Sequence, residues 1–121
     1  MNVKYTKDHE WVKLEGDYAL IGITAFAAEQ LGDIVFIDIN TVGETLEKEE
    51  VFGTIEAVKT VSDMFLPIGG EIMEFNEELE GNPGLINSDP MGEGWIIKIK
   101  PTIPEEFEEL LSEDQYNELI G

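Results

Sequence analysis

The sequence contains no cysteine and no arginine, and it has a single histidine, His9. Without cysteine there is no disulfide, no thiolate zinc site and no thiol nucleophile, so any sulfur chemistry has to come from an attached group. Without arginine there is no planar fork of donors for phosphate. The seven basic residues are all lysines, set against 27 acidic residues, and the net charge is −20. Such a charge repels nucleic acid and anionic lipid and favours encounters with basic protein surfaces.

Patterns of catalysis and metal binding are missing as well. One histidine without a nucleophile motif cannot form a Ser-His-Asp triad, so we interpret His9 as a structural residue that bonds the neighbouring backbone. The acidic pairs Glu77-Glu78 and Glu105-Glu106 lack the ligand alternation of an EF-hand, and the glycines lack the spacing of a phosphate-binding loop. The sequence therefore indicates carriage or binding and not an enzyme. With no targeting segment and no apolar run of membrane-spanning length, we expect a cytoplasmic monomer.

Length and hydrophobic patterning predict one mainly β domain. The 121 residues suffice for a single core, and no linker divides them, so we expect one domain over residues 1–121. Apolar stretches bounded by turn residues are typical of strands. The segment 34–39 is apolar enough to predict burial on both faces. The predicted strands lie in a hairpin over 11–23 and in the segments 34–39, 49–55, 61–66, 70–75 and 95–100.

Helices are predicted in two places. Thr24 is a suitable N-cap for an alanine-rich helix over 25–31, which Gly32 ends. A C-terminal helical cap is predicted over about 104–120, where Ser112 and Gln115 have the spacing of a capping box. Between these regions, residues 80–94 are rich in glycine, proline and asparagine, which predicts turns or an ordered loop and no strand.

The most informative local feature is Lys59, which lies between two predicted strands. Val51 to Ile55 precede it and Val61 to Leu66 follow it, so the lysine is expected at a hairpin tip. An amine on a flexible four-carbon stem at such a tip is accessible to a modifying enzyme and suits a covalently attached prosthetic group. The alternative from these residues alone is that Lys59 only keeps the turn soluble.

Several separate motifs in the same order give the chain a family resemblance. It resembles the glycine cleavage H-protein family, whose members are lipoyl-bearing shuttles. The resemblance extends over almost the whole length. The segments that carry it are 5–12, 22–24, 30–36, 56–59, 62–63, 70–72, 76–77, Leu79, 87–90 and 92–99.

The resemblance implies a fold and a set of site residues. The implied fold is the barrel-sandwich hybrid of lipoyl and biotinyl domains, with a short helix near 25–31 and C-terminal helices. Lys59 matches the lysine that forms an amide with lipoate. Glu56 and Gly70 match positions associated with recognition by the lipoate-attaching enzyme. Glu10 and Asp63 match positions near a cleft in which the arm rests, where their carboxylates would hold an amine as an ammonium.

The resemblance also implies partners and a cycle. A pyridoxal-phosphate glycine decarboxylase transfers an aminomethyl group to the lipoyl arm, and a tetrahydrofolate-dependent aminomethyltransferase removes it. A dihydrolipoyl dehydrogenase then reoxidises the dithiol. The implied role is that of a carrier which serves each enzyme as a substrate and binds neither nucleic acid nor membrane.

Some positions next to the lysine depart from the family pattern and leave alternatives. Thr54, Ile55 and Ala57 surround Glu56, and the bulky run 64–66 precedes the proline. These departures allow an H-like paralogue that relays lipoate. A biotinyl domain would carry methionine on both sides of the lysine, and a 2-oxoacid dehydrogenase lipoyl domain would carry aspartate before and alanine after it. Val58 and Thr60 fit neither pattern. An unmodified interaction module remains a further alternative.

Overall fold

The computed structural model describes residues 3–120, which form two antiparallel sheets joined by short helices. Within these residues nine strands are present, so the predicted mainly β class is confirmed. The strands are β1 Val3–Tyr5, β2 Glu10–Glu15, β3 Tyr18–Ile23, β4 Ile34–Asp38, β5 Thr45–Leu46, β6 Val51–Ala57, β7 Val61–Phe65, β8 Gly70–Phe75 and β9 Ile97–Pro101.

The two sheets differ in size and in their part of the chain. The large sheet has six strands in the order β1-β2-β3-β9-β8-β5, and the small sheet has three in the order β4-β6-β7. Neither strand order closes into a ring. The predicted hairpin of the large sheet is confirmed, with Trp11 opposite Gly22. Because the β6–β7 hairpin forms most of the small sheet, Lys59 lies at the end of that sheet.

The helices follow the predicted positions with two differences. Helix α1, Ala25–Leu31, is capped by the Thr24 side chain, which accepts a hydrogen bond from the Ala27 amide. The helices are α1, α2 Glu78–Gly81, α3 Leu85–Ser88, a 3-10 helix Pro104–Glu109 and α4 Glu113–Ile120.

The differences from prediction lie in α2, α3 and the C-terminal cap. The stretch 80–94 contains no strand, as predicted, but it includes the end of one single helical turn, α2, and the whole of another, α3. The first C-terminal segment is a 3-10 helix, and its Phe107 is buried. The capping box is present, since the backbone N–H of Gln115 donates to Ser112 Oγ (3.2 Å) and the backbone N–H of Ser112 donates to Gln115 Oε1 (2.9 Å). No helix within residues 3–120 has the length and apolar character to cross a membrane.

The prediction that 34–39 is buried on both faces is wrong. Ile34 and Ile37 are buried, but Val35 and Phe36 are exposed. The cause is a β-bulge: Ile34 lies opposite Ala57 and Phe36 lies opposite Glu56, so Val35 is an extra residue on β4. Continuous apolar sequence cannot distinguish a strand buried on both faces from one whose bulge exposes part of it.

The main core lies between the two sheets and is made almost entirely of aliphatic side chains. Fully buried residues from the large sheet, such as Ile72 and Ile99, belong to the same cluster as Phe52 and Ile55 from the small sheet. A second, smaller cluster at the outer side of the large sheet is aromatic and contains Tyr5, Trp11 and Tyr116. This second cluster attaches α4 to the N-terminal strands, so the C-terminal helix is held close to the loop before β2.

Candidate functional site

Lys59 occupies the exposed turn of the β6–β7 hairpin, where the sequence predicted it. The turn is closed by a hydrogen bond from the Ala57 amide to the Thr60 carbonyl (2.8 Å), and the Val58 amide donates to the Asp33 carbonyl (3.0 Å). These bonds fix the backbone on both sides of the lysine and leave its side chain exposed. Among residues 3–120 the ion pairs engage Lys4, Lys13, Lys48 and Lys98, and none of them involves Lys59.

The stem of Lys59 rests against Gly32 at the end of α1. A β-carbon placed on Gly32 would lie 3.5 Å from Lys59 Cε and 3.9 Å from its Nζ. Gly32 has a φ of 82°, a value that glycine adopts without strain and other residues rarely adopt. The glycine therefore ends the helix and leaves room for the lysine stem beside the C-terminus of α1.

A cleft of about 270 Å³ lies between α1 and β7. Its walls are mostly apolar, and both Glu10 and Asp63 line it, as the resemblance implied for an arm-resting cleft. Leu31, which precedes Gly32, also lines the cleft, so its near end adjoins the Lys59 stem. From Val61 to Phe65 the bordering strand is about 13 Å long. The lining residues are Asp8, His9, Glu10, Ile23, Ala27, Gln30, Leu31, Ile55, Ser62, Asp63, Met64 and Phe65.

Glu10 is the buried charged group of this cleft. Its side chain is 6% exposed, and the Thr6 hydroxyl donates to its Oε1 (2.9 Å). Burial raises the pKa of Glu10 to about 7, and nearby Asp8 acts in the same direction, while the Thr6 hydroxyl and the Phe65 amide lower it. Asp63, in contrast, is exposed at the rim. The cleft thus offers one buried carboxyl group whose pKa is raised to about 7 and one carboxyl group that is exposed to solvent.

His9 has a structural role, but its partner differs from the predicted backbone contact. Its Nδ1 lies 2.8 Å from the Tyr116 hydroxyl, and that hydroxyl lies 2.7 Å from Thr24 Oγ1. His9 also has a φ of 68°, and its ring contacts that of Phe26 at a centroid distance of 4.5 Å and an interplanar angle of 37°. The hydroxyl of Tyr116 therefore connects His9, in the loop before β2, to Thr24, the N-cap of α1. Sequence reasoning missed this contact because 107 residues separate His9 from Tyr116.

Glu56 and Gly70, both implied as recognition residues, lie in different sheets. Glu56 is exposed on β6, opposite Phe36 of β4 and Val61 of β7. Gly70 is buried in the large sheet, opposite Leu46 and Pro101. A β-carbon on Gly70 would lie 2.6 Å from the Lys100 carbonyl oxygen, a distance no side chain tolerates. Close packing against β9 therefore explains why a glycine stands at position 70. Of the two residues, only Glu56 lies in the hairpin that carries Lys59.

Comparison with known proteins places this geometry in context. The family model described as "Glycine cleavage H-protein" matches residues 3–121. The chain is 60% identical over 120 residues to the glycine cleavage system H protein of Bacteroides thetaiotaomicron, covering 99% of this chain and 95% of that protein. It is 48% identical to the protein of the same name from Halalkalibacterium halodurans, covering 98% and 93% respectively.

A solved structure gives the same result for the fold. The crystal structure of a glycine cleavage system H protein from Mycobacterium marinum superposes with a TM-score of 0.89 at 39% identity, and the match covers 99% of this chain and 97% of that one. The agreement extends over both sheets and the helices, because so little of either chain is left out.

Proposed function

The chain belongs to the glycine cleavage H-protein family, and on that premise we propose that it carries lipoate as an amide on Lys59. In this role it moves an aminomethyl group from a glycine decarboxylase to an aminomethyltransferase, and a dihydrolipoyl dehydrogenase returns it to its starting state. The observation that carries the proposal is the juxtaposition of an exposed hairpin lysine with an apolar cleft that contains a buried carboxyl group.

The residues present fit a lipoyl group. The stem of Lys59 lies against Gly32, and the apolar walls at Ala27, Leu31 and Met64 suit a hydrocarbon arm. Once attached, the group supplies the disulfide chemistry that a chain without cysteine lacks. Attachment joins Lys59 Nζ to a lipoyl carboxyl carbon that arrives in activated form. The ammonium loses two protons and the activating group leaves with its electron pair.

The cleft residues have separate tasks in this proposal. The aliphatic walls exclude water from whatever the cleft holds. Glu10 accepts a cationic amine, because an ammonium nearby favours the ionised form of a carboxyl whose pKa burial has raised to about 7. Asp63, exposed at the rim, adds a second negative charge without the cost of burial. Thr6 orients Glu10 through its hydroxyl.

The overall charge supports a carrier that docks briefly and leaves. A net charge of −20 steers the chain toward basic surfaces and makes copies of it repel each other. We therefore infer that it is a cytoplasmic monomer without catalysis of its own, and that it serves as a substrate of the three enzymes of the system and of the lipoate-attaching enzyme.

The modification is tested by intact mass. Protein made in cells supplied with lipoate is expected to gain one lipoyl increment, and the Lys59→Arg variant is expected to gain none. Lys100→Arg, a matched change at an exposed lysine of β9, is expected to keep the increment. A biotinyl increment, or no increment on the unaltered protein, would contradict the proposal and favour another carrier class or an unmodified module.

The pathway requires a second measurement. Lipoylated protein is expected to support exchange of the glycine carboxyl group with carbon dioxide when a glycine decarboxylase is added. A lipoylated protein that supports no exchange, beside an active H protein as positive control, would favour lipoate relay over glycine cleavage.

A further inference from the structure

An open groove of about 550 Å³ lies at the end of β4 that is remote from the lysine hairpin. Ile34, at the start of β4, lies opposite Ala57 beside the hairpin turn, and Ile39 follows the other end of the strand. Five residues of extended chain separate the two, so the groove begins about 15 Å from the hairpin. We call it the distal groove. Its apolar lining residues, all at least partly exposed, are Ile39, Val42, Met73, Phe75 and Trp95.

A bulge in β8 brings Met73 into this lining. Ile72 lies opposite Ile99 and Glu74 lies opposite Lys98, so Met73 is an extra residue on β8. Bulges that redirect a side chain in this way occur preferentially next to functional sites. Methionine and aromatic side chains are enriched at protein interfaces, and the flexible thioether adapts to the shape of its partner. The lining of the distal groove therefore suits a large apolar side chain of another protein.

The walls of the distal groove are fixed by Asn76, which is 5% exposed. Its Nδ2 donates to the carbonyl oxygens of Glu93 (2.8 Å) and Trp95 (2.8 Å), and its Oδ1 accepts from the backbone N–H of Glu78 (3.3 Å). These bonds join the start of α2 to the segment before β9, which are two sides of the groove. Because the walls are already ordered, a partner that enters the groove loses less free energy to ordering them.

The rim of the distal groove is acidic. Glu74, Glu77, Glu78 and Glu80 line it, and all four are exposed. Glu74 pairs with Lys98 (3.5 Å), whereas none of the ion pairs among residues 3–120 involves the other three glutamates. The complementary surface is a large apolar side chain surrounded by lysines or arginines. A second copy of this chain does not offer such a surface, because it has no arginine and a net charge of −20.

We propose that the distal groove docks a basic segment of the enzyme that loads the arm, with one large apolar side chain of that segment in the groove. This inference rests on the proposed function, in which that enzyme is a glycine decarboxylase. Before loading, the arm carries no amine for Glu10 to hold, so the enzyme can withdraw the arm without contacting the cleft. A contact about 15 Å from the hairpin leaves Lys59 and the cleft free while the arm moves into the active site.

The test measures docking through the KM for the lipoylated carrier. The reaction is the exchange of the glycine carboxyl group with carbon dioxide by a glycine decarboxylase. The Glu77→Gln/Glu78→Gln/Glu80→Gln triple variant keeps the size of each side chain and removes the free charges of the rim. Its KM is expected to rise about fivefold or more. Its kcat is expected to stay unchanged, because Lys59 and the cleft are not altered.

A matched control separates the groove from the overall charge. The Glu105→Gln/Glu113→Gln/Glu118→Gln triple variant removes the same charge from exposed positions outside the groove. Its KM is expected to rise by less than about twofold, since distant exposed charges are screened by salt.

A carrier without an arm gives a second measurement of docking. The Lys59→Arg protein cannot be lipoylated but keeps the distal groove, so it is expected to compete with the lipoylated carrier for the decarboxylase. Adding the three glutamine changes at positions 77, 78 and 80 is expected to raise its inhibition constant by the same factor as the KM. Thermal melting of each variant shows whether the fold is intact.

The outcomes separate this inference from the proposed function. If the lipoylated unaltered protein supports no exchange, the proposed function fails and the inference fails with it. If exchange is normal and the groove variant keeps the unaltered KM, or the control variant raises the KM as much, docking in the groove is refuted. A KM that rises for an aminomethyltransferase and not for the decarboxylase overturns the assigned partner. A dimer of the unaltered protein in sedimentation, with a monomeric groove variant, would assign the groove to a second copy. A higher KM in a groove variant that melts at the unaltered temperature supports the inference.

Discussion

Gly70 in the large sheet and Glu56 in the small sheet have opposite surroundings, because Gly70 is buried and Glu56 is exposed. In the large sheet Gly70 is buried where β8 and β9 approach too closely for a side chain. In the small sheet Glu56 is exposed between two exposed apolar residues. The family resemblance implied a recognition role for both positions, yet only Glu56 has a surface that another protein can touch. A shared association with modification can therefore have two causes, correct folding and direct contact.

The difference has a physical origin in how each sheet is covered. The large sheet has the two terminal regions packed on it, with α4 attached through the aromatic cluster of Tyr5, Trp11 and Tyr116. The small sheet contributes its inner face to the main core and leaves its outer face in solvent. We infer that stability depends mainly on the large sheet and the shared core, while the small sheet can present side chains that contribute little to folding.

The largest expected effect on stability is at Gly70. In Gly70→Ala the new methyl group would meet the Lys100 carbonyl oxygen, and all of the nearest atoms are backbone atoms of β9, which cannot rotate away as a side chain could. We expect a loss of about 3 kcal/mol in the free energy of unfolding, measured by urea denaturation. Gly81→Ala, where a β-carbon would meet nothing within 4 Å, is the control. If Gly70→Ala keeps full stability but is not lipoylated, direct contact of Gly70 with the modifying enzyme, and not its packing against β9, would explain the need for glycine.

The next effect depends on pH and concerns Glu10. Its pKa is about 7 in the folded protein, raised from 4.5. The folded state therefore holds a proton that the unfolded state has lost, and the contribution of Glu10 to stability falls as pH rises between these values. Glu10→Gln removes the cost of ionising a buried carboxyl group. It is therefore expected to stabilise the protein by about 2 kcal/mol at about pH 8 and by little at about pH 5.

The Glu10 comparison has a control on the same strand. Glu15 is exposed, so Glu15→Gln measures what the loss of one exposed negative charge does to the unfolding free energy at each pH value. An acidic chain loses stability through general repulsion as its carboxyl groups ionise, and only the difference between variants isolates Glu10. A Glu10→Gln effect that is the same at both pH values would contradict a raised pKa.

A smaller loss of stability is expected from a change in α4 at its contact with the loop before β2. Tyr116→Phe removes the hydroxyl that lies 2.8 Å from His9 Nδ1 and 2.7 Å from Thr24 Oγ1, but keeps the ring stacked on Tyr5. The loss is expected to be about 1 kcal/mol by urea denaturation. Tyr18→Phe, at an exposed tyrosine of β3, is expected to have no measurable effect. Equal losses in the two variants would contradict the bridging role.

Much of the fold could be predicted because local signals agreed with it. Thr24 and Gly32 bound α1 as their capping preferences indicate, and Ser112 pairs with Gln115 in the predicted capping box. The Lys59 hairpin followed from β-forming runs on either side of it. Each of these features depends on residues only a few positions apart.

The features that could not be predicted depend on the pairing of distant segments. Nothing within 34–39 shows that Val35 is an extra residue, since the bulge exists only relative to β6. The partner of His9 lies in α4, and the burial of Glu10 results from packing around the loop before β2. The resemblance named Glu10 and Asp63, and the structure places both on one cleft, but sequence alone could not show that only Glu10 is buried.

The smallest effect on stability is expected at Glu56, and it completes the contrast with Gly70. Glu56→Gln changes an exposed side chain without altering its size, so the free energy of unfolding is expected to change by less than about 0.5 kcal/mol. Acylation of Lys59 by a lipoate–protein ligase is nevertheless expected to slow, because a basic surface on the ligase would lose the negative charge that it contacts at Glu56. Asp38→Asn, at the rim of the same face, should slow it less. A Glu56→Gln variant acylated at the unaltered rate would contradict recognition of Glu56 by the ligase.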